Sequence, residues 1–187
     1  TSKRNNSNLV KKSKRYFDCL SCSGVESRNF EQVGGVSIAS MANFIAKFQN
    51  MCNNISRGYC HKDFHSGNIL QDKVITYVSD FGLTGPADKQ NSNDKIYGVL
   101  PYIAPEVLNG EVYTLASDIY SFGVIMAELS TGNPPFYDRK HDMSLALDVC
   151  NGLRPEFGNG TPEIYKKLAY RCMNANPNQR PTADQLK

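Results

Sequence analysis

Over the first forty residues, apolar and polar positions follow no sustained period. Ser, Asn, Lys and Gly dominate, and neither strand-like alternation nor the three-to-four step of a helix persists. Such a stretch buries too little apolar surface to offset the entropy of ordering it, so residues 1–40 are expected to form a basic, polar, poorly ordered N-terminal segment. At Met41 the pattern changes. Met41, Phe44, Ile45, Phe48, Met51, Cys52 and Ile55 recur at steps of three and four, which predicts an amphipathic helix capped by Ser40 and ended by Gly58. Its asparagines lower intrinsic propensity, so tertiary packing must hold it.

Asn68 to Leu70 and Val74 to Val78 flank Gln71, Asp72 and Lys73 and read as a short hairpin-like pair. The stretch from Pro86 to Lys95 is polar and aperiodic, the composition of a long loop. From Ser117 to Gly132 the chain is apolar almost all round, with Pro134 just beyond, which is how a fully buried helix is written. That helix is the expected centre of the core. Two further helices are predicted, Ser144 to Asn151 and Thr161 to Met173. In the second, Thr161 is the expected cap, Pro162 the first helical residue and Glu163 a partner for the helix dipole. Residues 41–187 therefore read as one mainly α body with a short β-hairpin region.

Composition adds limits. With 40% hydrophobic and 21% charged residues among 187, the chain has the make-up of a soluble globular domain, and no apolar run approaches the roughly 18 residues of a membrane span. The start lacks the apolar core of a secretory signal, which favours a cytoplasmic or nuclear location. Through Arg28 there are seven basic residues against two acidic ones, so the formal charge of +3 belongs to the tail. Its run KKSKR reads as a solvated tail. The aromatics beside it are limited to Tyr16 and Phe17, so nucleic acid is not the expected partner. Six cysteines include one C-x-x-C pair, Cys19 and Cys22, without a second pair at comparable spacing, which predicts reduced, unliganded thiols.

Residues 58–70, GYCHKDFHSGNIL, gather two histidines, an aspartate, an asparagine and a lysine. Alone, the stretch fits a catalytic loop, a metal site or an ordinary polar turn. His61 and His65 lack a third or fourth ligand at close range, which weighs against an imidazole metal site. Downstream lie D-F-G at 80–82, A-P-E at 104–106, D-I-Y-S-F-G at 118–123 and N-Q-R-P at 178–181. These blocks and H-K-D-F-H-S-G-N at 61–68, in this order and spacing, resemble the C-terminal lobe of a eukaryotic protein kinase domain, with a tyrosine-kinase-like flavour.

The resemblance implies a fold and a chemistry: a kinase-like C-lobe moving phosphate from ATP to protein hydroxyls in signalling. Asp63 is then the catalytic carboxylate at the substrate hydroxyl, while Asn68 and Asp80 are the oxygen ligands that hold Mg²⁺ and with it the nucleotide. It also implies that His61 packs beneath Phe81, that Asp118 holds the loop's backbone N–H groups, and that Glu106 and Arg180 form a buried ion pair.

Several positions depart from the family pattern. Lys62 stands where arginine is commoner and keeps the charge without bidentate grip. His65 replaces the lysine that serine/threonine kinases carry, and an imidazole is ordinarily largely uncharged at pH 7. Val99 stands where a threonine hydroxyl is expected, so serine/threonine against tyrosine preference stays open.

Only 62 residues precede Asp63. An N-lobe of about five strands, a helix and their connections, followed by two more helices, needs roughly 100. Neither G-x-G-x-x-G nor a V-A-I-K-like strand is found. The expectation is a C-lobe without its N-lobe, with two readings of its role: an ATP-dependent kinase, or a truncated kinase or pseudokinase acting as a non-catalytic protein-binding scaffold. An uncovered lobe face near Phe81 predicts self-association.

Overall fold

A computed structural model describes residues 58–70, 78–87 and 96–186, the helical positions 42–46 and 48, and the backbone of 71–72, of 75–77 and of three short strands, β1 (Lys14–Arg15), β2 (Gln32–Val33) and β3 (Val36–Ser37). The predicted entry helix is helical where it is described. Phe44 and Phe48 are buried at a four-residue step, and both rings stack on Phe122, at centroid distances of 5.4 and 3.7 Å. Its expected cap Ser40, its later apolar positions Met51, Cys52 and Ile55, and the cysteines Cys19 and Cys22 lie outside the described residues, as do positions 88–95 of the stretch predicted to be a long loop. Cys60, Cys150 and Cys172 are thiols.

The centre is a 17-residue helix, Leu115–Thr131, starting two residues earlier than its apolar run suggests. Thr114 and Ser117 cap its start reciprocally, and Gly132, at φ 73°, closes it in the left-handed conformation. Residues from Ile119 through Ser130 are all buried, as an apolar-all-round sequence requires. It packs most extensively against the helix Glu163–Cys172. Gly123 makes that approach feasible: a Cβ there would stand 2.7 Å from Met173 Cγ and 2.9 Å from the Ala169 carbonyl oxygen. A four-residue helix, Pro105–Leu108, and the helix Met143–Cys150 complete this layer and pack on each other.

Two details differ from the sequence reading. Thr161 does not cap the following helix; its hydroxyl donates to the Gly158 carbonyl at 2.6 Å, Pro162 is the N-cap, and the helix begins at Glu163. Because proline offers no side-chain acceptor, this end is left without a side-chain cap. In the hairpin, Gln71 and Asp72 belong to strand β5 (Ile69–Asp72), not to the turn. Strand β6 (Ile75–Val78) pairs with it antiparallel from Asp72↔Ile75 to Ile69↔Val78, the register of a two-residue loop. Strand β1 pairs on the other side of β5. A second small ladder joins β4 (Tyr59–Cys60) to β7 (Gly85–Pro86), tying the entrance of the 61–68 loop to the segment after D-F-G.

Among the described residues, no helix is long and apolar enough to cross a membrane.

Candidate active site

The 61–68 loop is shaped from behind by the central helix. Asp118, in the first turn of that helix, accepts the backbone N–H of His61 at 2.7 Å through Oδ2 and that of Lys62 at 3.1 Å through Oδ1. Desolvation raises the Asp118 carboxyl to about 6, against the two N–H bonds and the Lys62 charge, which favour the carboxylate. Lys62 adopts a left-handed backbone, φ 68°, and so does Asp80 of D-F-G, φ 60°. Each such residue costs on the order of 1–3 kcal/mol and persists because its surroundings fix it, here for Lys62 the Asp118 bond.

His61 is buried at 1% exposure. Its ring lies 5.3 Å from Phe81 and 5.9 Å from Phe64, and Nε2 meets the Ser79 carbonyl at 3.1 Å. A carbonyl only accepts, so Nε2 carries the proton, and burial pushes the ring below the ordinary imidazole value. His61 therefore has the packing place the resemblance implies.

Asp63 follows, with its side chain 20% exposed. Among the described residues its Oδ1 is enclosed without a hydrogen-bond partner, and Asn68 Nδ2 donates to its backbone carbonyl at 2.9 Å. That bond turns the Asn68 amide oxygen away from Asp63. The Asn68 carbonyl in turn accepts from Ser79 N at 2.8 Å and Ser79 Oγ at 3.1 Å, so the residue before Asp80 is fastened to the same loop. Asp80 itself is exposed at the start of the short 3₁₀ turn Phe81–Leu83, where its carboxylate accepts from Gly82 N at 3.4 Å. Three oxygen-bearing side chains expected to act together, Asp63, Asn68 and Asp80, thus sit on backbone that Ser79 and Asn68 join directly. Hard oxygen donors of this kind suit Mg²⁺.

His65 turns back on the loop. Its Nδ1 accepts from Gly67 N at 3.1 Å, and Nε2 lies 3.7 Å from Asp63 Oδ1. Gly98, at φ 106°, crosses close by: a Cβ there would be 3.4 Å from Asp63 Oδ1.

Sequence reasoning missed a buried polar cluster beneath this loop. Glu128 of the central helix, 5% exposed, accepts from Ser66 Oγ at 2.9 Å and from Tyr102 OH at 2.7 Å. Desolvation raises its carboxyl to about 7, against those two bonds. A single acid in the apolar run GVIMAELS was the signal, since a charge on a fully buried helix needs partners. The A-P-E end is fixed as implied. Arg180 meets Glu106 through two 2.6 Å bonds and donates to the Ala116 and Asn174 carbonyls, both at 2.8 Å.

A helical lobe organised around one buried helix, with an aspartate loop and a D-F-G turn fastened at its edge, defines the phosphotransferase lobe of protein kinases. The protein kinase domain family model matches residues 25–187, and the chain belongs to that family. It is 36% identical over 130 residues to a probable serine/threonine-protein kinase of Dictyostelium discoideum, covering 68% of this chain and 8% of that protein. The dual specificity protein kinase splA of the same organism is 32% identical over 157 residues, covering 76% and 6%. A protein kinase and PP2C-like domain-containing protein of Arabidopsis thaliana is 31% identical over 171 residues, covering 70% and 25%. The chain thus spans at most a quarter of the length of these relatives.

Proposed function

We propose that the chain carries the catalytic-loop lobe of an ATP-dependent protein kinase that phosphorylates protein hydroxyl groups. The observation that carries this reading is the bond from Asn68 Nδ2 to the Asp63 carbonyl, in a loop whose backbone Asp118 holds. In this reading Asp63 accepts the proton of the substrate hydroxyl, with Gly98 close beside its Oδ1. Asn68 and Asp80 hold Mg²⁺, and Mg-ATP supplies the transferred phosphoryl group with its charge neutralised. The names of the relatives, serine/threonine and dual specificity kinases, favour serine or threonine as acceptor.

Replacing Asp63 by Asn should lower peptide phosphorylation by about 10²- to 10⁴-fold, the usual worth of a positioned general base. Turnover equal in both proteins refutes the role of Asp63. A Mg-ATP-dependent rise in melting temperature, reduced in Asp80→Asn, is expected as well, because a ligand held only by the folded state stabilises it by about 2.7 kcal/mol at a hundred times its Kd.

The second reading is a non-catalytic scaffold that docks partner proteins. Phe81, half exposed beside the loop, supports it as an apolar contact for another protein. Failure of both Mg-ATP stabilisation and turnover would leave this reading.

A further inference from the structure

His65 is a polar residue of the loop to which the phosphotransfer reading assigns no task. Its ring is held on two sides and faced on a third. Gly67 N donates to Nδ1 at 3.1 Å, the ring of Tyr102 lies 5.8 Å away, and Nε2 lies 3.7 Å from Asp63 Oδ1. The first contact decides the chemistry. A ring nitrogen that accepts an N–H bond keeps its lone pair, so the proton of the neutral imidazole resides on Nε2. The nitrogen that carries the N–H is therefore the one 3.7 Å from Asp63 Oδ1, a carboxylate oxygen enclosed without a hydrogen-bond partner among the described residues.

Gly67 belongs to the same arrangement. A Cβ at that position would stand 2.7 Å from His65 Cε1 and 2.9 Å from Nδ1, so a side chain there would drive the ring from its place. The imidazole and the glycine two residues later thus form one unit that aims a donor at Asp63. At 3.7 Å the donor is beyond a formed hydrogen bond. Catalytic contacts of this length commonly tighten only when substrate is in place.

We propose that His65 is a positioning residue for Asp63: a neutral Nε2–H donor that steadies the carboxylate through Oδ1 and leaves Oδ2 to meet the substrate hydroxyl. The proposal rests on the reading of Asp63 as the base. A neutral donor orients the carboxylate without adding a charge next to the phosphates. Its removal consequently affects turnover and leaves the KM for ATP as it was.

Two measurements on the full chain test it. In ¹⁵N NMR of histidine-labelled protein, with His65 assigned through the signals missing from His65→Gln, Nδ1 should be bare and Nε2 protonated. The Nε2 resonance should move in Asp63→Asn. In peptide phosphorylation, His65→Asn, which offers Gly67 an acceptor but Asp63 no donor, should lose up to about 100-fold in kcat with an unchanged KM for ATP. His65→Gln, which keeps a side-chain N–H within reach of Asp63, should recover most of that loss. A proton on Nδ1, an Nε2 resonance indifferent to Asp63→Asn, or equal losses in the two variants would overturn the assignment. Absence of turnover in the unaltered chain would remove the base role of Asp63, and the ring-nitrogen measurement would still decide whether His65 addresses that carboxylate.

Discussion

Arg180 and Glu106 are separated by 74 residues and meet through two parallel bonds in the interior, with side chains 0% and 5% exposed. The guanidinium also lies 5.2 Å from the centre of the Tyr120 ring. Removing one partner of a buried pair strands the other charge, so Arg180→Ala should lose roughly 3–5 kcal/mol in urea unfolding. An unchanged midpoint would contradict the pairing. Glu128 predicts a pH dependence. Its carboxyl sits at about 7 in the folded chain against an ordinary 4.5, so between these values the unfolded chain has released a proton that the folded chain retains. Raising pH across that window favours unfolding, and the stability advantage of the parent over Glu128→Gln should shrink from about pH 4.5 to about pH 7. Thermal melts of the two proteins along a pH series measure it, and a constant difference would refute the shift. Asp63, Asn68 and Asp80 were legible as a set because short motifs carry them. The Ser66, Tyr102 and Glu128 cluster was not, because its members lie 26 to 62 residues apart and no local pattern records that they meet.

The helices Leu115–Thr131, Met143–Cys150 and Glu163–Cys172 were readable to within a residue or two, since burial is written into the spacing of apolar positions. Helix ends were less so. Thr161 had the composition of a cap, but a hydroxyl serves whichever partner the tertiary fold brings, and here Gly158 won it. In the hairpin, Gln71 and Asp72 looked like turn residues, yet pairing continues through both, because ladder bonds override weak strand propensity. Between the central helix and Glu163–Cys172 the sequence shows only a glycine among bulky neighbours. The space beside Gly123 is already filled by Met173 and the Ala169 carbonyl, so Gly123→Ala should be destabilising by about 1–3 kcal/mol despite alanine's better helix propensity. A variant as stable as the parent would show that the two helices separate at little cost.

At the scale of the molecule, the face that carries D-F-G exposes Phe81 at 51% and Leu83 at 36% while His61 beneath them is sealed. Concentration-dependent association is expected in analytical ultracentrifugation, weakened by Phe81→Ser, and a single monomeric species at every concentration would refute it. The loop that bears Asp63 owes its shape to Asp118, 57 residues further along. This separates the order of synthesis from the order of assembly. A nascent chain halted before residue 118 already contains the whole HKDFHSGN segment, and none of the carboxylate that gives it form. The geometry of the loop therefore arrives only once the ribosome has delivered the central helix, so earlier products of translation carry the motif without its shape.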